Sequence, residues 1–315
     1  MKSNPFPALL RHGDTVAIIA TSGPCDARRL ENGVKAIASM GLRPIVMESC
    51  RLRHGYLAGH DDIRLRDLHA AFASQDVRGI FVARGGYGAA RLLPRLDFSL
   101  IRQNPKVFVG YSDVTALHIA FNQFAELVTF HGPMPAADFG NDTCPHTMDA
   151  LKAMVFTDAA MSSQRHYPSR HLHFCQQQHP GSQLNINQLQ HPNHPLLTIV
   201  PGRAEGTLIG GNLSLIAASL GTPYEIDTRG KILFIEEVGE KPYSIDRLFL
   251  QLKQAGKLRD AAGILLGDFS PETMESLEIC INELIVTEGK PTFAGLACGH
   301  TSPNLTLPLG AYVYT

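Results

Sequence analysis

The amino-acid sequence predicts an α/β protein: a mostly parallel sheet with helices on both faces, followed by a smaller α/β unit. Three observations predict it. Short apolar, β-branched runs end at glycines and alternate with stripes of helical period. That alternation recurs at the spacing of βαβ units. The 315 residues, 44% hydrophobic and 18% charged, suffice for two domains, each with its own core.

Thr15–Ala20 reads as a buried first strand ended by Thr21-Ser22-Gly23-Pro24. Leu30, Val34 and Ile37 form a helical stripe closed by Gly41, and Arg43–Met47 a second strand. Asp61 or Asp62 can cap a helix that turns Leu65, Leu68 and Phe72 inward. Gly79–Ala83 and Lys106–Gly110 are the third and fourth strands, and Leu127–Phe130 a fifth. Periodicity is lost over 162–195, rich in His and Gln and broken by Pro168, Pro180, Pro192 and Pro195. Order returns with a strand over Gly206–Ile209, Gly210-Gly211-Asn212 and a short helix over Leu213–Leu220. Strands then follow at Lys231–Ile235, Gly263–Gly267 and Pro291–Gly295. Between them lie one helix starting near Pro242 and another capped by Ser270-Pro271-Glu272. Leu305–Leu309 closes the chain as an edge strand, since Pro308 removes a ladder donor. The expected organisation is an N-terminal domain over 1–150, a linker or insertion over 151–205 and a C-terminal domain over 206–315.

A net charge of −1 excludes an electrostatic affinity for nucleic acid or anionic membrane. No apolar run has the length of a membrane span. Met1–Arg11 carries one Lys and too short an apolar stretch for a secretory signal, so the expected location is the cytoplasm. The six cysteines show no C-x-x-C spacing and read as small buried apolar residues rather than a disulfide framework. His166, His171, His173, His179, His191 and His194 match no structural zinc pattern, so no metal or other cofactor is expected. The sequence leaves open whether the chain is a monomer or a homodimer.

The stretch with most chemical content is Lys106–His118. A strand stops at Gly110, Ser112 follows two residues later, and Val114, Leu117 and Phe121 begin a helical face. Strand, sharp turn, serine, helix is the geometry of a nucleophile elbow, which exposes a hydroxyl beside free amides at a helix N-terminus. Val114 stands where the G-x-S-x-G pattern has its second glycine. The competing reading is a serine that only caps the helix.

A serine nucleophile needs a base, and the base an orienting group. His118 is six residues down the helix, roughly 9 Å of rise away, and reads as a partly buried surface histidine. His131 ends a strand on the correct edge of the sheet, and His300 follows a strand in a Gly-His-Thr-Ser turn; both stay open. Glu236 is the first polar residue after Ile232–Ile235, and a carboxylate at a buried strand end must be paired, with His or with an arginine such as Arg247. The order Ser112, Glu236, His300 is a known order of the catalytic triad. Gly85 and Gly86 end the strand next to that of Ser112, where one of their N–H groups, with that of Asp113, completes an oxyanion hole.

Several stretches together resemble the LD-carboxypeptidase family, the serine peptidases of murein recycling. They are Ala83-Arg84-Gly85-Gly86-Tyr87-Gly88, Gly110–Leu117, Phe130–Met134, Gly210–Leu215, Phe234–Glu240, Tyr243–Arg247, and Gly299-His300 with Leu305–Gly310. The resemblance spans both expected domains. It implies a flavodoxin-like N-terminal domain, a smaller C-terminal α/β domain and a site in the groove between them. It also implies Ser112 as nucleophile, Glu236 as orienting acid and His300 as base. Glu237 stands where relatives often carry Asp, which selects Glu236. The implied activity is metal-free removal of the terminal D-alanine from murein tetrapeptides, with a tetrapeptide as the partner molecule. Arg84 is the candidate for the D-alanine carboxylate, since a fixed guanidinium suits a terminal carboxylate; otherwise it is a surface ion pair.

Two rivals remain. Microcin C immunity peptidases, a related branch, cleave an acyl-sulfamoyl adenylate and often hold the adenine on tryptophan, which this chain lacks. A non-catalytic nucleotide-binding protein would use the Arg84–Gly88 loop as a phosphate cradle. Its glycine spacing fits neither G-x-G-x-x-G nor the P-loop.

Overall fold

Five strands, β1 (Thr15–Ile19), β2 (Arg43–Val46), β3 (Val77–Val82), β4 (Val107–Gly110) and β5 (Thr129–His131), form a parallel array in the order 2-1-3-4-5. This is the strand order of the flavodoxin-like doubly wound fold, as the family resemblance implies. The structure is a computed structural model and describes residues 4–140, 143–157, 184–185, 196–271 and 274–315. β1 is buried at every position, the continuous apolar run of a strand covered on both faces. β2, at the edge, alternates between exposed and half-buried residues.

A second, seven-stranded sheet contains β6 (Leu184–Asn185), β7 (Leu197–Val200), β8 (Glu205–Asn212), β9 (Ile232–Glu237), β10 (Gly263–Phe269) and β11 (Thr292–Ala294). Strands β8 to β11 run parallel, and β7 adds antiparallel to β11. The chain then returns to the first sheet. β12 (Leu307–Leu309) pairs antiparallel with β5 as its edge strand, before β13 (Tyr312–Tyr314) lies antiparallel on β8. The two sheets meet where Asn212 N at the end of β8 donates to Thr115 Oγ1 at 3.0 Å, at the start of the helix Thr115–Phe124.

Some local expectations change. The helix Asp61–Ala73 buries Leu65, Leu68 and Phe72, but His60 precedes it without a side-chain cap bond. Asp61 instead accepts from Arg91 Nε at 3.0 Å and pairs with the buried Arg64. Gly210, Gly211 and Asn212 continue β8 rather than ending it, which carries the strand to the seam between the sheets. The six histidines of the 162–195 segment, and part of the Ser270-Pro271-Glu272 cap, lie outside the described residues. Among the described residues no helix is long and apolar enough to cross a membrane. Cys50, Cys280 and Cys298 are buried free thiols, while Cys25 and Cys144 are partly exposed.

Candidate active site

Ser112 sits two residues past Gly110, the last paired residue of β4, with φ +63°, a left-handed conformation that a residue with a Cβ adopts only when its surroundings enforce it. It opens a single 3-10 turn, Ser112–Val114, that leads into the helix Thr115–Phe124. No side-chain cap bond is made at either start. The cap positions belong to Tyr111 and Val114, so Ser112 does not stand as the helix cap, and the strained elbow geometry remains.

Facing Ser112 is the loop after β3. A Cβ added to Gly85 would come within 2.9 Å of both Cβ and Oγ of Ser112 and 3.6 Å of Asp113 N. Only glycine lets this backbone lie against the hydroxyl and that amide. The loop is held from behind. Gly23 N donates to Gly85 O at 3.1 Å, Asp113 Oδ2 accepts from Ala89 N at 2.8 Å, and the buried Arg64 guanidinium donates to Gly88 O at 3.0 Å. Asp113 thus has two parts: its amide faces Gly85, and its carboxylate fixes the loop. Burial raises that carboxyl's pKa, against the hydrogen bonds it accepts.

His300 comes from the loop between β11 and β12. Gly299 N donates to Asn304 Oδ1 at 3.0 Å, and Asn304 N donates to Thr147 Oγ1 at 2.9 Å. Gly299 has φ +118°, and a Cβ there would lie 2.6 Å from Glu236 Oε2. The turn can bring His300 onto Glu236 only with glycine at that position. Nδ1 of His300 donates to Glu236 Oε2 at 2.8 Å, from an imidazole 21% exposed to a carboxylate with no exposure. Burial alone would lower the His300 pKa. The hydrogen bond and charge of Glu236, with the charges of Glu237 and Asp138, outweigh it and raise the pKa. Burial raises Glu236, while the His300 bond pulls it back.

Glu237 points the other way, as successive strand residues must. It accepts from Ser214 N and Ser214 Oγ at 2.7 Å, and from Asn212 Nδ2 and Val238 N at 2.9 Å. It is the anchor of the helix Leu213–Ser219, not a partner of His300. Arg247 does not pair with Glu236: it reaches Ser244 Oγ at 3.3 Å and lies over the Tyr243 ring.

His118 is a core residue, not a surface one. With no exposure, it donates from Nε2 to Gly110 O at 2.8 Å and meets Thr129 Oγ1 through Nδ1 at 2.8 Å, so it ties β4 to β5. Burial lowers its pKa to about 4. His131 is likewise wholly buried, packed among Tyr111, His118 and Phe234, with no hydrogen-bond partner at either ring nitrogen among the described residues. Burial first, then His118 and His300, lowers its pKa well below the usual value.

Ser112, Gly85, Gly86, Arg84 and His300 line one cavity of about 280 Å³. Arg84 is half-buried, donates to Pro24 O at 3.4 Å and makes no ion pair among the described residues. Sequence reasoning missed three contributors. Arg29, on the first turn of the helix Ala27–Ser39, puts a second cation on the cavity wall. Tyr111 packs its ring 4.8 Å from that of His300 and donates its hydroxyl to Asp138 Oδ1 at 2.9 Å. Asp138 also accepts from Met134 N at 2.6 Å through Oδ2, and burial raises its pKa. No pattern in sequence links these residues; tertiary packing alone does. Among the described residues no three metal-ligating side chains converge.

The sequence pattern of the LD-carboxypeptidase N-terminal domain matches residues 16–132, and that of the C-terminal domain matches residues 205–314. A probable murein peptide carboxypeptidase of Bacillus subtilis is 42% identical over 314 residues, covering 98% of this chain and 90% of that protein. The murein tetrapeptide carboxypeptidase of Pseudomonas aeruginosa is 30% identical, covering 94% and 91%. Among solved structures, a muramoyltetrapeptide carboxypeptidase from Oxalobacter formigenes superposes with a TM-score of 0.74 at 28% identity, covering 95% and 94% of the two chains. An MccF-like protein from Bacillus anthracis superposes with a TM-score of 0.81 at 25% identity, covering 98% and 95%.

Proposed function

The chain belongs to the LD-carboxypeptidase family, and from that premise we propose that it is a serine carboxypeptidase that hydrolyses the L–D peptide bond before the terminal D-alanine of murein tetrapeptides. Ser112 is the nucleophile, His300 the base and Glu236 the acid that orients it. The observation that carries this reading is the Glu236 carboxylate on Nδ1 of His300. It fixes the tautomer that leaves a lone pair on Nε2, on a ring that shares its cavity with Ser112.

Nε2 of His300 takes the Ser112 proton as Oγ attacks the carbonyl carbon before D-alanine. The negative charge that develops on the carbonyl oxygen is received by the amide of Asp113 and that of Gly85 or Gly86. The intermediate collapses, and the D-alanine amine leaves with the proton from His300. A water molecule, deprotonated by His300, then attacks the Ser112 ester, releasing the tripeptide acid and restoring the hydroxyl. Arg84 pairs with the D-alanine carboxylate and so selects a chain end over an internal bond.

The test is release of D-alanine from a murein tetrapeptide by purified protein, followed by quantifying D-alanine and tripeptide. Equal amounts of both are expected. An inert tetrapeptide, with an aminoacyl sulfamoyl adenosine cleaved instead, would replace this reading by that of the microcin C immunity branch.

A further inference from the structure

A second and larger cavity, about 650 Å³, adjoins the catalytic one. Arg84 and Gly86 line both, so the two form one groove with Arg84 at the junction. The far wall is made by Arg53, Tyr56 and Tyr87. Tyr56 is 67% exposed and Tyr87 54% exposed, and their rings meet edge-on with centroids 5.7 Å apart. Arg53 is exposed and makes no ion pair among the described residues. Two uncovered aromatic rings beside two unpaired guanidinium groups form a surface suited to a ligand that carries both a ring and a carboxylate.

The position of Arg84 says which part of a substrate reaches this surface. In the reaction proposed above, on which this inference rests, Arg84 holds the carboxylate of the leaving residue. The side chain of that residue is carried on the Cα next to the carboxylate, so a carboxylate held by Arg84 at the junction of the two cavities leaves the larger one within reach of that side chain. The methyl group of D-alanine fills only a small part of such a space. An aromatic ring there packs against the Tyr56–Tyr87 pair, with the Arg53 guanidinium available to its face. We propose that the Arg53–Tyr56–Tyr87 cavity is a leaving-group subsite, and that the enzyme also releases aromatic D-amino acids from peptides ending in an L–D bond with a free carboxylate.

The experiment compares tetrapeptides ending in D-alanine, D-phenylalanine or D-tyrosine, otherwise identical, by kcat/KM. The aromatic peptides are expected within about tenfold of the D-alanine peptide or above it. In Tyr56→Ala/Tyr87→Ala the ratio of aromatic to D-alanine kcat/KM should fall by roughly tenfold, the scale of a lost aromatic contact, while Tyr56→Phe/Tyr87→Phe should keep the ratio. Aromatic peptides cleaved more than about a hundredfold less well than the D-alanine peptide would overturn the inference, as would a ratio unmoved by the alanine pair. An inert D-alanine peptide would instead defeat the reading of the catalytic site.

Discussion

Glu236 and His300 belong to elements 64 residues apart in the chain, yet their side chains meet at 2.8 Å. The contact has a consequence for pH. As the proposed base His300 must be neutral, and the groups around it, Glu236, Glu237, Asp138, His131 and Tyr111, bring a net upward push. The acid limb of kcat/KM should therefore lie above the ordinary histidine value near 6.5, with activity rising as pH rises through it. Glu236→Gln removes the principal upward push and leaves burial, so the limb should move to lower pH and kcat should fall by on the order of 10⁴. Asp138→Asn should move the limb in the same direction by less. A pH–rate profile of the three proteins checks this; an unmoved limb in Glu236→Gln would detach the glutamate from the base.

Glu237 gives the complementary prediction. Its four accepted bonds hold Asn212, Ser214 and Val238. Glu237→Gln should cost about 1–3 kcal/mol of stability, because an amide cannot accept from all those donors, and should leave kcat within about tenfold. Denaturant titration alongside kinetics tests the division. A larger loss of activity than that of Glu236→Gln would exchange the two roles.

His118 and His131 make stability depend on pH. Both have folded-state pKa values below the unfolded one, near 6.5, so the unfolded chain binds more protons over the intervening range. Stability is then full above pH 6.5 and falls as pH drops toward 4. His118, with its pKa of about 4, accounts for roughly 3 kcal/mol of that loss. His131→Leu should reduce the slope of stability against pH by as much as about 1.4 kcal/mol per pH unit. Urea midpoints at pH 7, 6 and 5 measure it, and equal slopes in the two proteins would mean that His131 is protonated in the fold.

Chelation should leave the enzyme active, since the proposed chemistry needs a hydroxyl, an imidazole and amides. Full activity after EDTA and gel filtration is expected. A dead protein revived by zinc would contradict the serine mechanism.

The readable parts of this chain are the local ones. β1 and β4 announced themselves as apolar runs, and Ser112 could be singled out because strand, turn and helix are contiguous in sequence. The pairing of His300 with Glu236 was open to sequence only through the order of the residues and a family resemblance, since His131 satisfied the same local criteria. Burial separates them, and burial is a tertiary property. His118 was misread for that reason: its partners Thr129 and Gly110 lie on two other elements. Arg64, on the helix Asp61–Ala73, holds the Gly88 carbonyl behind the site, a contact that no local pattern in the sequence marks. Arg29 reaches the cavity because Gly33 allows its helix to press against Pro135, where a Cβ would lie 2.4 Å from the carbonyl oxygen.

The most direct measurement is kinetics on Ser112→Gly. Ser112 has φ +63°, where glycine is unstrained, so the variant should be folded and at least about as stable as the parent. It keeps the backbone amides and the cavity, and should still bind tetrapeptide. With no hydroxyl to attack, kcat for D-alanine release should fall by on the order of 10⁴ or more. Turnover within tenfold of the parent by a folded Ser112→Gly protein would contradict the account and leave Ser112 as a turn residue alone.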